Sequence, residues 1–173
     1  MKKTVLCILF ALLFVSASYA DELFSSVSLY SGPDWASYVD EEYNFFFRTS
    51  LRSDFSIEIL NHRLESYEYG PFLSAEIKTT TIDVNGTRYL AHYGLGIGYS
   101  VKKALKDDFS LGTFTSISYG SYINSDIKYV SFDLGIISLY EIEENYNLKA
   151  KGAISWKGNV ASLYLQLGAG YEF

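Results

Sequence analysis

The amino-acid sequence predicts an all-β fold, a closed antiparallel up-and-down β-barrel that crosses a membrane with eight strands or, alternatively, with ten. Three observations support this prediction. Apolar and polar residues alternate with a period of two through most of the chain after residue 68. Beyond residue 20 no apolar run approaches the roughly 20 residues of a membrane-spanning helix. The chain also ends in the middle of an apolar strand pattern, on Phe173 itself.

The composition agrees with a membrane barrel. Among 173 residues there are 16 Tyr and 12 Phe but only 2 Pro, and aromatic residues both favour strands and form the interfacial girdles of transmembrane barrels. The first 20 residues hold two lysines and no acidic residue, so the remainder has 12 basic and 20 acidic residues and a formal charge of −8. Proteins that bind nucleic acid need a basic surface, and nucleic acid is therefore excluded as a partner.

Residues 1–20 have the pattern of a cleaved signal peptide. Two lysines follow Met1, an apolar stretch covers residues 5–15, and Ser18 and Ala20 place small residues at the −3 and −1 positions. We expect cleavage between Ala20 and Asp21, which leaves residues 21–173 as one barrel domain. The single cysteine, Cys7, lies in the segment removed, so disulfides and thiolate sites are excluded from the mature chain.

Six strands with good period-2 alternation are predicted in the last two thirds of the chain. They cover residues 69–82, 88–102, 109–122, 127–142, 145–156 and 159–173. Asn85 and Gly86 mark a tight hairpin between the first two, and Lys157-Gly158-Asn159 marks another before the last. The neighbouring residues Ile136 and Ile137 break the alternation, which predicts a β-bulge at this point.

The first third of the mature chain is less regular. Residues 22–31 and 43–52 are predicted strands, joined by a polar loop at 32–42, and they bring the total to eight. Residues 55–60 could form a further short strand, part of a bent second strand, or a connection, so the role of residues 53–66 stays open. An even count is expected when both termini lie on one side of the membrane. Eight strands are preferred and ten are the alternative.

The two faces of the predicted strands differ in chemistry. One face is apolar almost throughout, and the other mixes small residues with charges of both signs, among them Arg48, Glu76, Lys78, Asp133, Lys149, Lys151 and Glu172. A transmembrane barrel turns its apolar face to lipid, whereas a soluble lipocalin-like barrel buries it. The interior of an eight-stranded barrel is just wide enough for side chains to fill. We therefore expect a lumen filled by paired charges.

Candidate chemistry is sparse. The two histidines are His62 and His92, and His92 shares its predicted face with Gly94, which points it into the lumen. A hydrogen-bonded interior histidine is the preferred interpretation. The outer-membrane lipid A deacylases carry His-x-Ser-Asn on a strand, but here Gly94 and Leu95 follow His92 in place of the serine and asparagine, which does not support that activity. No metal-ligand cluster, cofactor site or catalytic set is predicted.

The C-terminal segment carries a family resemblance. Gln166, Gly168, Tyr171 and Phe173 give the pattern polar-x-Gly-x-x-aromatic-x-aromatic at the chain end. This pattern resembles the C-terminal assembly signal of bacterial outer-membrane β-barrels. The resemblance implies a small, eight-stranded barrel integral to the outer membrane of a Gram-negative-type bacterium, surrounded by outer-membrane lipid and inserted by the barrel-assembly machinery.

A second resemblance covers residues 31–78. Gly32-Pro33-Asp34-Trp35, the acidic-aromatic stretch at 40–43 and the segment 69–74 are similar to the front of the MltA-interacting protein family. That resemblance implies an outer-membrane scaffold for cell-wall enzymes, and hence a partner in the cell wall or at the surface.

Together these patterns predict a non-enzymatic integral outer-membrane barrel, porin-like in architecture but with a filled lumen, which acts structurally or through its surface loops. Two alternatives remain open at the level of sequence. One is an outer-membrane enzyme that modifies lipids, and the other is a soluble periplasmic lipocalin-like barrel that binds lipid. The ligand, the partner and the oligomeric state are not indicated.

Overall fold

The computed structural model of the chain describes residues 24–39, 45–59, 62–80, 91–123, 128–158 and 160–173. The predicted signal peptide with Ala20 and Asp21, and the hairpin at Asn85 and Gly86, lie outside the described residues. Within the described ranges no helix is long and apolar enough to cross a membrane. The strands are β1 (Phe24–Val39), β2 (Phe45–Ile59), β3 (His62–Leu64), β4 (Tyr67–Thr80), β5 (His92–Lys106), β6 (Phe109–Tyr122), β7 (Lys128–Glu143), β8 (Tyr146–Lys157) and β9 (Val160–Glu172).

These strands form a closed antiparallel barrel. Their order around the sheet is β2-β1-β9-β8-β7-β6-β5-β4-β3, and a β2–β4 pairing closes the ring. Sequential neighbours pair throughout, which is the up-and-down topology predicted from the sequence. The fold class is therefore confirmed.

The short strand β3 continues β2 along the same neighbour, β4, so β2 and β3 count as one strand and the barrel has eight strands around its circumference. β2 pairs with β4 at Glu58 and Phe72, and β3 pairs with the same strand at His62 and Tyr69. The register differs by one residue between these pairs. Residues 55–59 thus belong to a long second strand, 62–64 pair with the same neighbouring strand, and the ten-strand alternative is wrong.

The strands are strongly staggered around the ring. The stagger can be measured by following paired residues once around the eight-stranded barrel. The row starts on β2 at Arg48 and returns to β2 at Glu58, ten residues further along. Stagger and tilt are linked in closed barrels, where strands incline by about 35–45° to the axis. The stagger decides which distant residues share a level inside the barrel.

The facing of the strands matches a membrane barrel. Large apolar side chains point outward and are exposed, as in Leu95, Ile117 and Leu167, while their neighbours Gly94, Ser118 and Gln166 point into the lumen and are buried. A soluble barrel would have the opposite arrangement, so the lipocalin-like alternative is wrong. The predicted facing of the last six strands is confirmed for the described residues, except at the predicted bulge in residues 136–137.

Outward aromatic rings cluster toward the two ends of the barrel. We call the end where β1 begins and β9 ends the terminal end, and the opposite end the loop end. Aromatic rings at lipid–water interfaces are the usual pattern of transmembrane barrels. The rings are Tyr67, Tyr140, Tyr146, Tyr171 and Phe173 toward the terminal end, and Tyr93, Tyr119, Phe132 and Trp156 toward the loop end.

Two local predictions are wrong. The predicted loop at 32–42 is strand up to Val39, because Pro33 is tolerated where β1–β9 pairing stops after Ser31 and resumes at Asp34. The predicted bulge at Ile136 and Ile137 is absent, since both pair in continuous register with β8. Ile137 faces the lumen, where it packs with Phe114 and other buried apolar side chains.

Candidate functional site

The middle of the lumen is built around Arg52. Its guanidinium contacts Asp54 on the same strand at 2.9 Å, Glu76 on β4 at 2.8 Å and Asp133 on β7 at 2.7 Å. The face of the Tyr164 ring lies 3.9 Å from Arg52 Cζ. The guanidinium donates through Nε and Nη2 to three carboxylates and lies on an aromatic face, contacts that suit its planar, delocalised charge. This cluster spans the lumen from β2 to β7 and β9.

Aromatic rings and a lysine fill the space below this cluster. Lys151 on β8 contacts Asp54 Oδ2 at 2.5 Å, and its ammonium lies 4.6 Å from the Tyr30 ring centroid. Tyr30, Tyr164, Phe114 and Ile137 form a buried apolar group at the same place. Beside it lies a void of about 20 Å³, room for about one water molecule. The described lumen is therefore occupied by side chains at mid-height.

At the terminal end, two lysines share a carboxylate. Lys102 Nζ lies 2.7 Å from Glu58 Oε2 and 2.8 Å from Glu68 Oε1, and Lys149 Nζ lies 3.4 Å from Glu58 Oε1. Lys149 also donates to Ser26 Oγ at 3.3 Å. Buried charges of this kind are tolerated when they are paired and hydrogen-bonded. Both of these lumen lysines therefore have a carboxylate partner.

At the loop end, Tyr129 closes the lumen. Its hydroxyl donates to Glu76 Oε1 at 2.8 Å, and its ring lies against two glycines. A Cβ on Gly94 would reach the Tyr129 hydroxyl, and a Cβ on Gly120 would overlap the ring itself. The glycines therefore provide the space in which this tyrosine lies across the lumen.

His92 and Lys157 lie next to Tyr129 at the mouth of the barrel. Lys157 Nζ lies 2.8 Å from His92 Nε2 and 3.6 Å from the Tyr129 ring centroid. His92 packs edge-on against Tyr122 and Tyr129, with centroid distances of 5.3 and 5.0 Å. An ammonium can only donate, so a protonated Lys157 leaves Nε2 as the acceptor and the ring proton on Nδ1.

The structure brings together most of the residues singled out in the sequence. Glu76, Lys78, Asp133, Lys149 and Lys151 all face the lumen and are ion-paired, as predicted. His92 is an interior, hydrogen-bonded histidine, again as predicted. His62 is separate from it, exposed at the terminal end beside Tyr69. The Arg48 side chain lies outside the description.

The four assembly-signal residues lie in or just beyond β9. Gln166 faces the lumen and donates to the Arg52 carbonyl at 3.1 Å, and Gly168 leaves room for the Tyr30 ring. Tyr171 faces outward and packs against Tyr146 and Phe173, at 5.2 and 5.4 Å between centroids. Their role in assembly stays a prediction.

Sequence reasoning missed several residues of the lumen. Arg52, Asp54 and Glu58 were part of the irregular first third, and Lys157 was assigned to a turn. Period-2 alternation could have found the first three, because Ser50, Arg52, Asp54, Ser56 and Glu58 alternate with outward residues. The contacts between strands depend on the stagger, which alternation does not reveal.

Solved structures of the same fold were found by comparison. The chain is similar to Neisserial surface protein A, with 16% sequence identity and a TM-score of 0.54, over 85% of this chain and 97% of that one. It is also similar to the Yersinia pestis outer membrane protein Ail in a phospholipid nanodisc, with 14% identity and a TM-score of 0.51, over 86% of this chain and 99% of that one. The fold is that of the small outer-membrane β-barrels.

No family model matches the sequence, and the comparison with curated proteins gives no match. The resemblance of residues 31–78 to the MltA-interacting proteins therefore stays a prediction. The predicted location, integral to the bacterial outer membrane, is confirmed at the level of the fold and agrees with the outward apolar belt. Among the residues that the structure describes, no group of three His, Cys, Asp or Glu could hold a metal ion.

Proposed function

We propose that this protein is a non-enzymatic, non-conducting barrel that anchors an interaction surface in the outer membrane. The observation that supports this most is the Arg52 cluster, which joins Asp54, Glu76 and Asp133 across the lumen within 2.9 Å. Ions or solutes would have to displace charges that are buried and paired. Breaking such a cluster costs several kcal/mol, because it leaves unpaired charges in the interior.

The connections at the two ends of the barrel indicate which end interacts. Three of the four connections at the loop end are long, residues 81–91 and the five-residue segments 40–44 and 123–127, and the fourth is the two-residue connection 158–159. At the terminal end the connections 65–66, 107–108 and 144–145 all have two residues. Outer-membrane barrels have short periplasmic turns and longer extracellular loops. We therefore assign the loop end to the cell exterior and the terminal end to the periplasm, and place the interaction surface at the loop end.

The enzymatic alternative has less support. The hydrogen-bond partner of His92 within the described residues is Lys157, whereas a lipid hydrolase needs a hydroxyl nucleophile or an activated water beside its base. Mass spectrometry of lipid A from cells with and without the protein tests this alternative. An altered acylation or headgroup pattern that depends on the protein would favour a lipid-modifying enzyme.

Planar-bilayer recording tests the filled lumen. The purified protein should give no stable single-channel steps. A matched pair of double variants serves as the control. Arg52→Ala with Tyr164→Ala removes two lumen side chains and should produce steps, whereas Leu51→Ala with Leu163→Ala removes outward side chains from the same strands and should not. Reproducible steps from the unaltered protein would overturn the proposal.

A further inference from the structure

We propose that the loop-end mouth of the barrel binds a tetrahedral oxyanion, such as a phosphate group, through the ammonium of Lys157. The inference deepens the proposed surface role by naming the chemistry that the loop end recognises. It begins from a difference in charge pairing. The other lumen lysines that the structure describes each contact a carboxylate within 4.0 Å, as Lys78 does with Asp34, Lys102 with Glu58, Lys149 with Glu58 and Lys151 with Asp54.

Lys157 is the exception. Its hydrogen-bond partner is His92 Nε2, and its second contact is the ring of Tyr129, so neither neighbour carries a formal negative charge. The nearby carboxylates are engaged by other cations, since Glu76 contacts Arg52 at 2.8 Å and Asp34 contacts Lys78 at 2.7 Å. Lys157 therefore has no carboxylate in direct contact among the described residues, and the nearest carboxylate of the cluster, Glu76, lies 4.0 Å from His92 Nε2.

The geometry leaves donors of this ammonium for a ligand. A lysine has three N–H donors and no acceptor, and His92 Nε2 takes one of them. The Tyr129 ring covers one side of the ammonium, which holds it by a cation–π contact. Lys157 is the last residue of β8, followed at once by the turn at Gly158 with a φ of 59°. Lys157 is half-buried at this edge of the barrel, and among the described residues its remaining donors have no hydrogen-bond partner.

His92 adds a second unfilled donor in the same cluster. The hydrogen bond from Lys157 places the ring proton on Nδ1, and Nδ1 is buried without a protein partner. A buried donor without a partner costs free energy unless water or a ligand supplies an acceptor. Nδ1 points away from the Nε2 that faces Lys157, so it does not itself contact an oxyanion there, and the ring responds through Nε2. Lysine is a common phosphate binder that acts as a point charge.

The test uses the two histidines as reporters within one molecule. The mature barrel, labelled with ¹³C at its histidine rings and folded in a zwitterionic detergent, is titrated with inorganic phosphate at constant pH, and with chloride at matched ionic strength. We expect a saturable shift of the His92 ring signal with phosphate and not with chloride. His62, exposed at the terminal end, should not shift. Equal shifts in both anions or at both histidines would overturn the proposal.

Variants assign the site. Lys157→Gln should weaken phosphate binding roughly tenfold or more, since a hydrogen bond to a charged group contributes about 1.5–3 kcal/mol, while Lys157→Arg should retain it. Lys128→Gln removes an exposed lysine from the start of a neighbouring strand and should leave binding unchanged. Heat-modifiable gel migration confirms that each variant is folded. Unchanged binding in Lys157→Gln would contradict the assignment.

The oxyanion could come from solution or from a lipid headgroup, and vesicles distinguish these sources. The protein is reconstituted in phosphatidylcholine alone and in phosphatidylcholine with lipopolysaccharide, both without free phosphate. A His92 shift with lipopolysaccharide that Lys157→Gln abolishes identifies a headgroup phosphate, whereas a response to free phosphate alone identifies a soluble ligand. Failure of both would leave the non-conducting barrel intact, because the bilayer recordings do not depend on Lys157.

Discussion

At the terminal end of the lumen Lys102 lies between two carboxylates, whereas at the loop end Lys157 lies between an imidazole and a tyrosine ring. Both side chains are lysines that point into the same barrel. They differ in what remains if the ammonium is removed. Loss of Lys102 removes a cation that contacts both Glu58 and Glu68, while loss of Lys157 leaves two neutral neighbours.

This difference gives the two ends of the lumen different roles: paired charges stabilise the terminal end, and we propose that the loop end responds to an anion. A charge in a matched buried pair is bound to its partner, because separation exposes both to a medium that solvates neither. A lysine whose direct contacts are neutral keeps N–H donors for an external anion, because no carboxylate accepts from them. The terminal end therefore stabilises the barrel, and the loop end is available for recognition.

The largest expected effect compares the two lysines directly. Lys102→Met should destabilise the barrel by about 3 kcal/mol, because it removes a buried cation from its ion pairs with two carboxylates, although Lys149 near Glu58 offsets part of this cost. Lys157→Met should cost about 1 kcal/mol, the range of a cation–π contact and one hydrogen bond. Reversible denaturant unfolding from lipid vesicles measures both. Equal losses would remove the distinction between the two ends.

A smaller effect is expected from the glycines that make room for side chains at each end. Gly120→Ala places its Cβ against the Tyr93 carbonyl and the Tyr129 ring, neither of which can move freely. Overpacking of this kind typically costs about 1–3 kcal/mol. Gly170→Ala at the terminal end contacts the tips of Asn147 and Lys149 instead, which can shift.

We therefore expect Gly120→Ala to lower the free energy of unfolding more than Gly170→Ala, by about 1 kcal/mol or more. The same vesicle unfolding experiment compares them. A crystal structure of Gly120→Ala should also reveal a displaced Tyr129 ring. A larger loss for Gly170→Ala would mean that the terminal end is the more tightly packed of the two.

Local sequence patterns predicted which face of a strand each side chain lies on, but not which side chains contact each other across the lumen. Alternation within the predicted strand 109–122 places the neighbours Ile117 and Ser118 on opposite faces, and the structure confirms this, because successive side chains of a strand point to opposite faces. The pairing of Arg52 with Asp133 joins residues 81 apart. This pairing depends on the stagger of the strands around the closed barrel, which the local alternation does not predict.

The errors have related causes. Gly32 and Pro33 are turn residues in most contexts, but here the missing N–H of Pro33 falls where β1 and β9 do not pair. Ile137 broke the apolar-outward rule because the lumen contains an apolar group at Tyr30 and Phe114. Lys157 was assigned to a turn because Gly158 follows it, although its side chain still points inward. In each case the tertiary surroundings of the residue overrode the structure that the local sequence pattern predicts.

The smallest expected effect tests whether Tyr129 holds the loop end by its ring or by its hydroxyl. Tyr129→Phe removes the donor to Glu76 Oε1 at 2.8 Å but keeps the ring under Lys157. Glu76 still contacts Arg52, so its charge is not left without a partner. The expected loss is about 0.5–1.5 kcal/mol in the free energy of unfolding, the usual range for one hydrogen bond.

Phosphate binding provides the second measurement on the same variant. Because the phenylalanine ring retains a cation–π contact, though a weaker one than tyrosine, Lys157 should stay in place and His92 should still respond to phosphate. Tyr129→Leu, which removes the aromatic face as well, should release Lys157 and weaken the response. If Tyr129→Phe abolishes the response while Tyr129→Leu leaves it intact, the hydroxyl rather than the ring positions Lys157. The loop end would then depend on the hydrogen bond to Glu76, a carboxylate, as the terminal end depends on Glu58.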